Sequence, residues 1–558
     1  MFPLNLTEFS EIFNTTQILL YIGISALNAL LLFFSSMKFL LVLQQCGYRG
    51  KRFFKWLDNK ETPYKSRLML LCLLAFLFFC VLNMCFASLV GEEITSFFGF
   101  MSYLLFIFIY IKSERHVNAK VPLKITRRLI RLCITYFILL AAITFGVILL
   151  IDYLAFLINV NVVAILRYAL VCLVPMLIPY ILICAYGINE PFERISRKRY
   201  LRLAVEKLDS TNVIKIGITG SYGKTSVKEI LKTILSQKFR VLASPASYNT
   251  PLGIALTVKD LDSTHDVFIA EMGARAKGEI KELAQMVKPK YALITGINNQ
   301  HLESFGDIEN IKNTKFELVE NLVDGGVAFF ASDNQGSIEL MNRFNGEKYS
   351  AGLSGEDNLV TATDIKTEAR GTTFTLNIKG EEPVKCATTL LGNHSVKNIL
   401  LASAVAYKMG LTPKEIALGI NRIQTIGHRL ELLPNNKNII IIDDSYNSSV
   451  DGVGAAMEVL DTFNGRKIVV TPGLVELGKI ESVANFEMGK TLAKHADLVI
   501  VIGKHNAVNL INGMVDAGMS KDNIKFAKSL SKGNELLNEI MTEGDVVLFE
   551  NDLPDNYN

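Results

Sequence analysis

The sequence predicts an α-helical membrane bundle followed by an α/β half, the latter a P-loop domain with a parallel sheet plus a C-terminal Rossmann-like domain. Three observations predict it. The apolar residues that bring the hydrophobic share to 50% and the mean hydropathy to +0.30 concentrate before about residue 190. From Val213 onward, short β-rich runs alternate with amphipathic helices, the pattern of a mostly parallel sheet covered on both faces. Within that alternation GITGSYGKTSVKEIL, Gly217 to Leu231, reads as a strand, a glycine-rich turn and a helix opening at Gly-Lys-Thr.

The apolar part divides into five spans, most of them long enough to cross roughly 30 Å of hydrocarbon. They run from Gln17 to Leu43, Arg67 to Val90, Phe97 to Ile111 (a short one), about Leu132 to Ile151, and about Ile165 to Ile188. Residues Tyr153 to Val162 leave room for a sixth span or an interfacial turn. The first lacks a basic leader and is too long for a cleaved signal peptide. Basic loops set the orientation: seven Lys or Arg lie in YRGKRFFKWLDNKETPYKSR and seven more between Lys112 and Arg131. GEEITS and DYLAFLINVNVV carry none. An odd count therefore places the N-terminus outside and everything after NEPFERISRKRYLR in the cytoplasm, in a multi-pass inner-membrane protein.

Net charge is only +4, and the membrane flanks already use many of the basic residues, so nucleic-acid binding is not implied. Seven of the eight cysteines lie in or beside the apolar half, with only Cys386 beyond it and no pair at metal-ligand spacing. They read as small apolar filler.

In the second half, VIKIGIT, RVLAS, DVFIAEMG and YALITGI read as strands, with KTSVKEILKTILSQK as a helix. NLVTATDIKTEARGTTFTLNIKG reads as a small antiparallel insertion, and HSVKNILLASAVAYKMG as a helix of 3.6 period. Near Gly427 the series restarts with NIIIIDDS, RKIVVTPG, DLVIVIG and DVVLFE. The expected domains are 1–190, 191–425 and 426–558.

A glycine-rich turn between a strand and a helix points backbone N–H groups at phosphate oxygens. Lys224 would neutralise the β- and γ-phosphates and the Thr225 hydroxyl would hold Mg²⁺. Ile218 stands where the general pattern G-x-x-x-x-G-K-[ST] has glycine. The form TGSYGKTS resembles the ATP loop of the Mur ligases and their folylpolyglutamate synthase relatives. EMGARAKGEI resembles the acidic metal-ligand segment of the branch that adds D-alanyl-D-alanine, and HLESFGDIENIKNTKFELVENL its histidine segment and carbamylated-lysine helix. LLGNHSVKNILLASAVA, GHRLELL, IIDDSYNSSVDG and PGLVELG are similar to further signatures in order, from Ile214 to Val547.

The resemblance implies ligation of a carboxylate to an amine through an acyl phosphate, with ATP and Mg²⁺ as cofactors. It implies that Gly220, Ser221, Gly223, Lys224, Thr225 and Ser226 hold phosphates, with His394 and Asn398 near the adenine. Arg429, Asp444 and Asn447 would reach the nucleotide from the C-terminal domain. Thr225 and Glu271 would hold one Mg²⁺, and His301 with a carbamylated Lys315 a second; Lys224, His301 and Lys315 would be catalytic. On spacing alone Glu271 could cap a helix, His301 could be a surface loop residue and Lys315 a solvated helix lysine. Likewise His394 with Asn398 could be a helix-start network and Asp443 with Asp444 a turn.

The sequence departs from the family at Gly296, where asparagine is usual, at Ser395, at NSSV and in its ending FENDLPDNYN, which leaves the amino substrate open. The largest departure is at the front. Apolar spans stand where the soluble ligases carry a domain that grips the UDP part of their substrate. The expected partners are a small-molecule or lipid-linked peptide acceptor, an amino-acid or dipeptide donor, and membrane lipid. Two alternatives remain: a membrane poly-γ-glutamate-type ligase, and an ATP-driven transporter or sensor. The near absence of ionisable residues in the spans, with Lys38 and Arg167 near span ends, disfavours the transporter.

Overall fold

The computed structural model describes residues 15–58, 64–114, 122–158, 170–245, 248–355, 357–368, 370–434, 438–446 and 448–552. The chain forms two compact units, 1–196 and 197–558.

The first unit is helical among the described residues. Three of its helices are long and apolar enough to cross a membrane: Thr15–Ser35, the Arg67–Phe86 part of Tyr64–Val90, and the Arg127–Leu154 part of Arg127–Ile158. Phe98–Lys112 is a shorter apolar stretch within Glu92–Glu114. The first expected span is broken: Thr15–Ser35 ends and Met37–Gln45 begins around Ser36, whose hydroxyl bonds back to the Phe33 carbonyl at 2.7 Å. The start of the fifth expected span, with Arg167, lies outside the described residues, as does 159–162 of the room left for a sixth; a helix begins at Ile178 and runs to Ser210. Asn28, fully buried, ties three of these helices together. Its Nδ2 donates to Thr144 Oγ1 at 3.1 Å and its Oδ1 accepts from Tyr103 at 2.7 Å. Polar pairs of this kind tie apolar helices together at fixed positions, because a buried amide is costly to leave unpaired.

The second unit holds two sheets. The first is nine-stranded, in the order β2-β3-β1-β4-β5-β6-β7-β8-β9. Its strands are β1 Ile214–Thr219, β2 Val241–Ala243, β3 Val267–Glu271, β4 Tyr291–Ile294, β5 Val327–Ala331, β6 Glu347–Ala351, β7 Val360–Glu368, β8 Gly371–Ile378 and β9 Val384–Thr388. All pairings from β2 to β7 are parallel; β7-β8 and β8-β9 are antiparallel. The expected antiparallel insertion is therefore an extension of the main sheet. Alternation along β3 feeds both faces: Val267 and Ile269 pack with the helices Lys224–Leu235 and Gly392–Lys408, and Phe268 and Ala270 pack on the other side with Glu279–Val287. Each fully buried Ile or Leu in these layers contributes about 1.5–3 kcal/mol.

The second sheet is six-stranded, in the order β10-β11-β15-β12-β13-β14. Its strands are β10 Glu431–Leu433, β11 Ile440–Asp444, β12 Lys467–Thr471, β13 Leu498–Ile502, β14 Ile524–Ala527 and β15 Val546–Glu550. Only β10 is antiparallel. The four strands expected from sequence are β11, β12, β13 and β15; β10 and β14 are additions too short or too polar to read from periodicity.

Candidate nucleotide and acyl-transfer site

Because β1 pairs with β3 on one side and β4 on the other, the ends of these strands deliver three segments to one place. They are the loop after Thr219, Glu271, and Thr295 with Gly296. Crevices at such strand ends are where open parallel sheets hold ligands. The loop Gly220–Gly223 then opens the helix Lys224–Leu235, with Gly223 at φ +76° as its cap. Gly220 is required by space as well as by φ +151°: a Cβ there would stand 2.0 Å from Thr295 Oγ1. The loop is held by backbone: Ser221 N–H donates to the Gly296 carbonyl at 2.6 Å. Gly296, where the family usually has asparagine, leaves room for the Tyr222 ring, whose Cζ would be 2.3 Å from a Cβ at 296.

Lys224 Nζ donates to the carbonyls of Gly220 at 2.7 Å and Ser221 at 2.9 Å. Burial pulls its pKa down to about 8, against the raising influence of Glu271. Thr225 Oγ1 donates to Glu271 Oε2 at 3.0 Å, so the two expected ligands of one Mg²⁺ do converge. Ser226 follows on the same helix and is half-buried.

Two residues that sequence reasoning missed complete this corner. Lys228, fully buried, reaches Glu271 Oε2 at 3.3 Å, and Asn249 Nδ2 donates to Glu271 Oε1 at 3.2 Å. The position of Lys228 one turn after Lys224 was the only available signal for the first. A carboxylate oxygen beside a hydroxyl is the donor set a hard divalent cation takes.

His301 lies at φ +62° at the start of the short helix Leu302–Phe305. Its Nδ1 is 2.5 Å from Glu476 Oε2. Burial lowers the imidazole pKa, opposed by Glu476. Lys315, on the helix Ile308–Glu320, is 3% exposed, so it is no solvated lysine. Burial, with Lys224 adding to it, pulls its pKa down to about 7. The charge of Lys224 bears on both His301 and Lys315, which places all three in one electrostatic neighbourhood.

His394 and Asn398 sit on the first turns of the helix Gly392–Lys408. Asn398 Oδ1 abuts the loop, 3.0 Å from where a Cβ on Gly223 would be. The His394 side chain is half-buried, with Nδ1 inaccessible and unpartnered and Nε2 3.1 Å from Ser395 Oγ. Burial drives its pKa down to about 4, helped by Lys397 and Arg429.

From the C-terminal sheet, Arg429 stacks 4.5 Å over the Tyr446 ring, and its charge bears on Lys224, His394 and Asp444. Asp444 and Glu550 are in register on β11 and β15, and burial pushes both carboxyls up. Asn447 lies outside the described residues. A separate group with metal-ligand spacing, His428, Glu431 and Asp443, is tied internally by His428 Nδ1 to Asp443 at 2.7 Å.

A phosphate loop at a sheet switch point, a hydroxyl–carboxylate pair beside it and an arginine supplied by a second Rossmann-like sheet together define a nucleotide-dependent group-transfer enzyme. Residues 218–406 match the Mur ligase middle domain, and residues 428–550 match the Mur ligase, glutamate ligase domain. The chain belongs to the Mur ligase family.

A UDP-N-acetylmuramoyl-tripeptide--D-alanyl-D-alanine ligase of Bacillus subtilis (strain 168) is 30% identical over 352 residues, which cover 62% of this chain and 75% of that one. The ligase of the same name in Escherichia coli (strain K12) is 30% identical, over 54% of this chain and 67% of its own. Among solved structures, MurF from Acinetobacter baumannii superposes with a TM-score of 0.58 at 26% identity, over 64% of this chain and 77% of that one. MurF from Thermotoga maritima in complex with ADP does so with 0.57 at 25%, over 64% and 80%. The chain is thus an ATP-dependent, ADP-forming acid–amino-acid ligase that uses ATP and Mg²⁺.

Proposed function

We propose that this ligase adds an amino acid or dipeptide to the peptide of a cell-wall precursor at the inner face of the membrane, and that the acceptor is lipid-linked. The observation that carries the catalytic reading is the convergence of Thr225 Oγ1 and Glu271 Oε2, 3.0 Å apart, beside the Gly220–Lys224 loop. A carboxylate is a poor electrophile; attack of its oxygen on the γ-phosphorus, with ADP leaving, makes an acyl phosphate. The incoming amine then adds to the acyl carbon, and the tetrahedral intermediate collapses with loss of phosphate and a proton. Negative charge gathers around one phosphoryl group throughout, and Lys224 and Arg429 are the fixed cations that oppose it.

Mg²⁺, when bound, neutralises β- and γ-oxygens. Thr225 and Glu271 are the residues that would hold it, and His301 with a carbamylated Lys315 would hold a second. With its pKa pulled down to about 7, a substantial share of Lys315 is the neutral amine near neutral pH, the form that takes up CO₂. His394 and Asn398 would border the adenine, with Asp444 and Asn447 reaching the nucleotide from the C-terminal side.

The membrane part of the proposal is supported by the three helices of spanning length and apolarity. They stand ahead of residue 218, where the family match begins. The purified full chain in detergent, given MgATP, an amine panel and either a UDP-linked or a lipid-linked peptide, should form ADP and amide with the lipid-linked acceptor. Turnover on the UDP-linked peptide alone would refute the lipid-linked assignment.

A further inference from the structure

The loop that follows β12 carries Glu476 at its tip. We infer that Glu476 is a positioning residue: it sets the His301 ring for the transfer site and makes that setting depend on docking of the C-terminal sheet's loop. The inference rests on the ligase reading above for the role of His301.

The base of the loop is held by identifiable contacts. Asn485, fully buried, receives the Leu474 N–H on Oδ1 at 2.8 Å and donates to the Leu474 carbonyl at 2.9 Å. Asn506 Nδ2 donates to that same carbonyl at 2.7 Å, and Asn551 Nδ2 to the Gly473 carbonyl at 2.6 Å. Gly473, at φ +86°, has no room for a Cβ, which would lie 2.3 Å from Asn485 Oδ1. Three asparagines from three elements thus fix the base of the loop, and buried amides engaged in this way are costly to displace.

What the tip reaches is the central sheet's site. One carboxylate oxygen of Glu476 meets His301 Nδ1 at 2.5 Å and the other meets Arg275 Nη1 at 3.2 Å. Its own carbonyl accepts the Glu303 N–H at 3.4 Å. Two residues on, Gly478 at φ +58° passes so close that a Cβ would be 3.3 Å from the Glu303 Cα. Both Glu476, at φ +64°, and His301, at φ +62°, hold left-handed backbone without being glycine. That conformation is strained for a residue with a Cβ and persists where surroundings over-determine it. Here each is the other's surrounding.

The chemistry follows from acceptor and donor rules. A carboxylate paired with an arginine accepts and cannot donate, so the proton of a neutral imidazole resides on Nδ1. Nε2 is then left with its lone pair, and the ring cannot spin about Cβ–Cγ to offer the other nitrogen.

The test compares Glu476→Ala, Glu476→Asp, His301→Ala and the Glu476→Ala/His301→Ala double variant in the full chain. Glu476→Ala should lower kcat about 10- to 100-fold, the usual loss on removing such an orienting partner, with KM for ATP within about twofold. Glu476→Asp should recover part of it. The double variant should be no slower than His301→Ala. Hydrogen exchange, which needs no turnover, should rise at residues 299–306 in Glu476→Ala and stay unchanged at 214–226. Losses that multiply in the double variant, or exchange at 299–306 unmoved by Glu476→Ala, would overturn the inference. If the wild type binds MgATP but forms no ADP with any acceptor, the ligase reading fails instead, while the exchange measurement still decides the contact.

Discussion

At Gly220 one methyl group decides whether the phosphate loop can form. The Cβ position lies 2.0 Å from Thr295 Oγ1, and that oxygen is engaged with the Tyr222 carbonyl, so it cannot retreat without loosening the loop. Gly220→Ala should therefore weaken binding of a fluorescent ATP analogue about tenfold or more, a loss matching the roughly 1–3 kcal/mol of a strained backbone position. Lys224→Ala removes the fixed cation and should lower ATP turnover on the order of 10²–10³-fold, measured as ADP release; unchanged turnover would contradict the site.

His394 supplies a pH prediction. Its imidazole has a pKa of about 4 in the folded chain and 6.5 when unperturbed. Between those values the unfolded chain binds a proton that the folded chain refuses, so stability present above pH 6.5 falls as pH drops toward about 4. Replacing His394 with Gln should flatten that part of the thermal-unfolding profile. Lys224, Thr225 and Glu271 were legible in the sequence, because a glycine-rich turn and strand-end acids leave local signals. Lys228, Asn249 and Glu476 were not singled out. Their contacts to Glu271 and His301 span 43, 22 and 175 residues, and no local pattern reports a partner that distant.

At the scale of elements, β1 to β4 of the first sheet and β11, β12, β13 and β15 of the second were legible, while the interior strands β5 and β6 and the short β10 and β14 were not named. β10 and β14, 3 and 4 residues long, also lack a fully buried apolar run that would mark them. β7 and β8 were read as an insertion, yet Val360 pairs with Ala351 and carries the main sheet onward. The break at Ser36 was likewise hidden, because apolar residues continue on both sides of it. The loop after β12 gives a prediction at this scale. Asn485→Ala strips two hydrogen bonds from Leu474 and should raise hydrogen exchange across 472–478 while leaving β12 protected.

At the scale of the whole molecule, a helical unit with three helices of spanning character precedes a two-sheet ligase unit. In cell fractionation the full chain should sediment with membranes, resist extraction by salt or alkali and be released by detergent. Release by salt alone would mean that the apolar helices do not span. The order of the ligase signatures was legible from Ile214 to Val547. What the acceptor is attached to was not, because no residue pattern in the apolar spans names a lipid or a nucleotide.

The central claim is that this chain joins a carboxylate to an amine through an acyl phosphate. The measurement that tests it most directly uses a peptide acceptor labelled with ¹⁸O in its reacting carboxylate, offered in lipid-linked and UDP-linked form with MgATP and an amine. An acyl phosphate moves one carboxylate oxygen onto phosphorus, so the account predicts one ¹⁸O in each phosphate released together with amide. Unlabelled phosphate, or ATP hydrolysis with no amide formed, would contradict it.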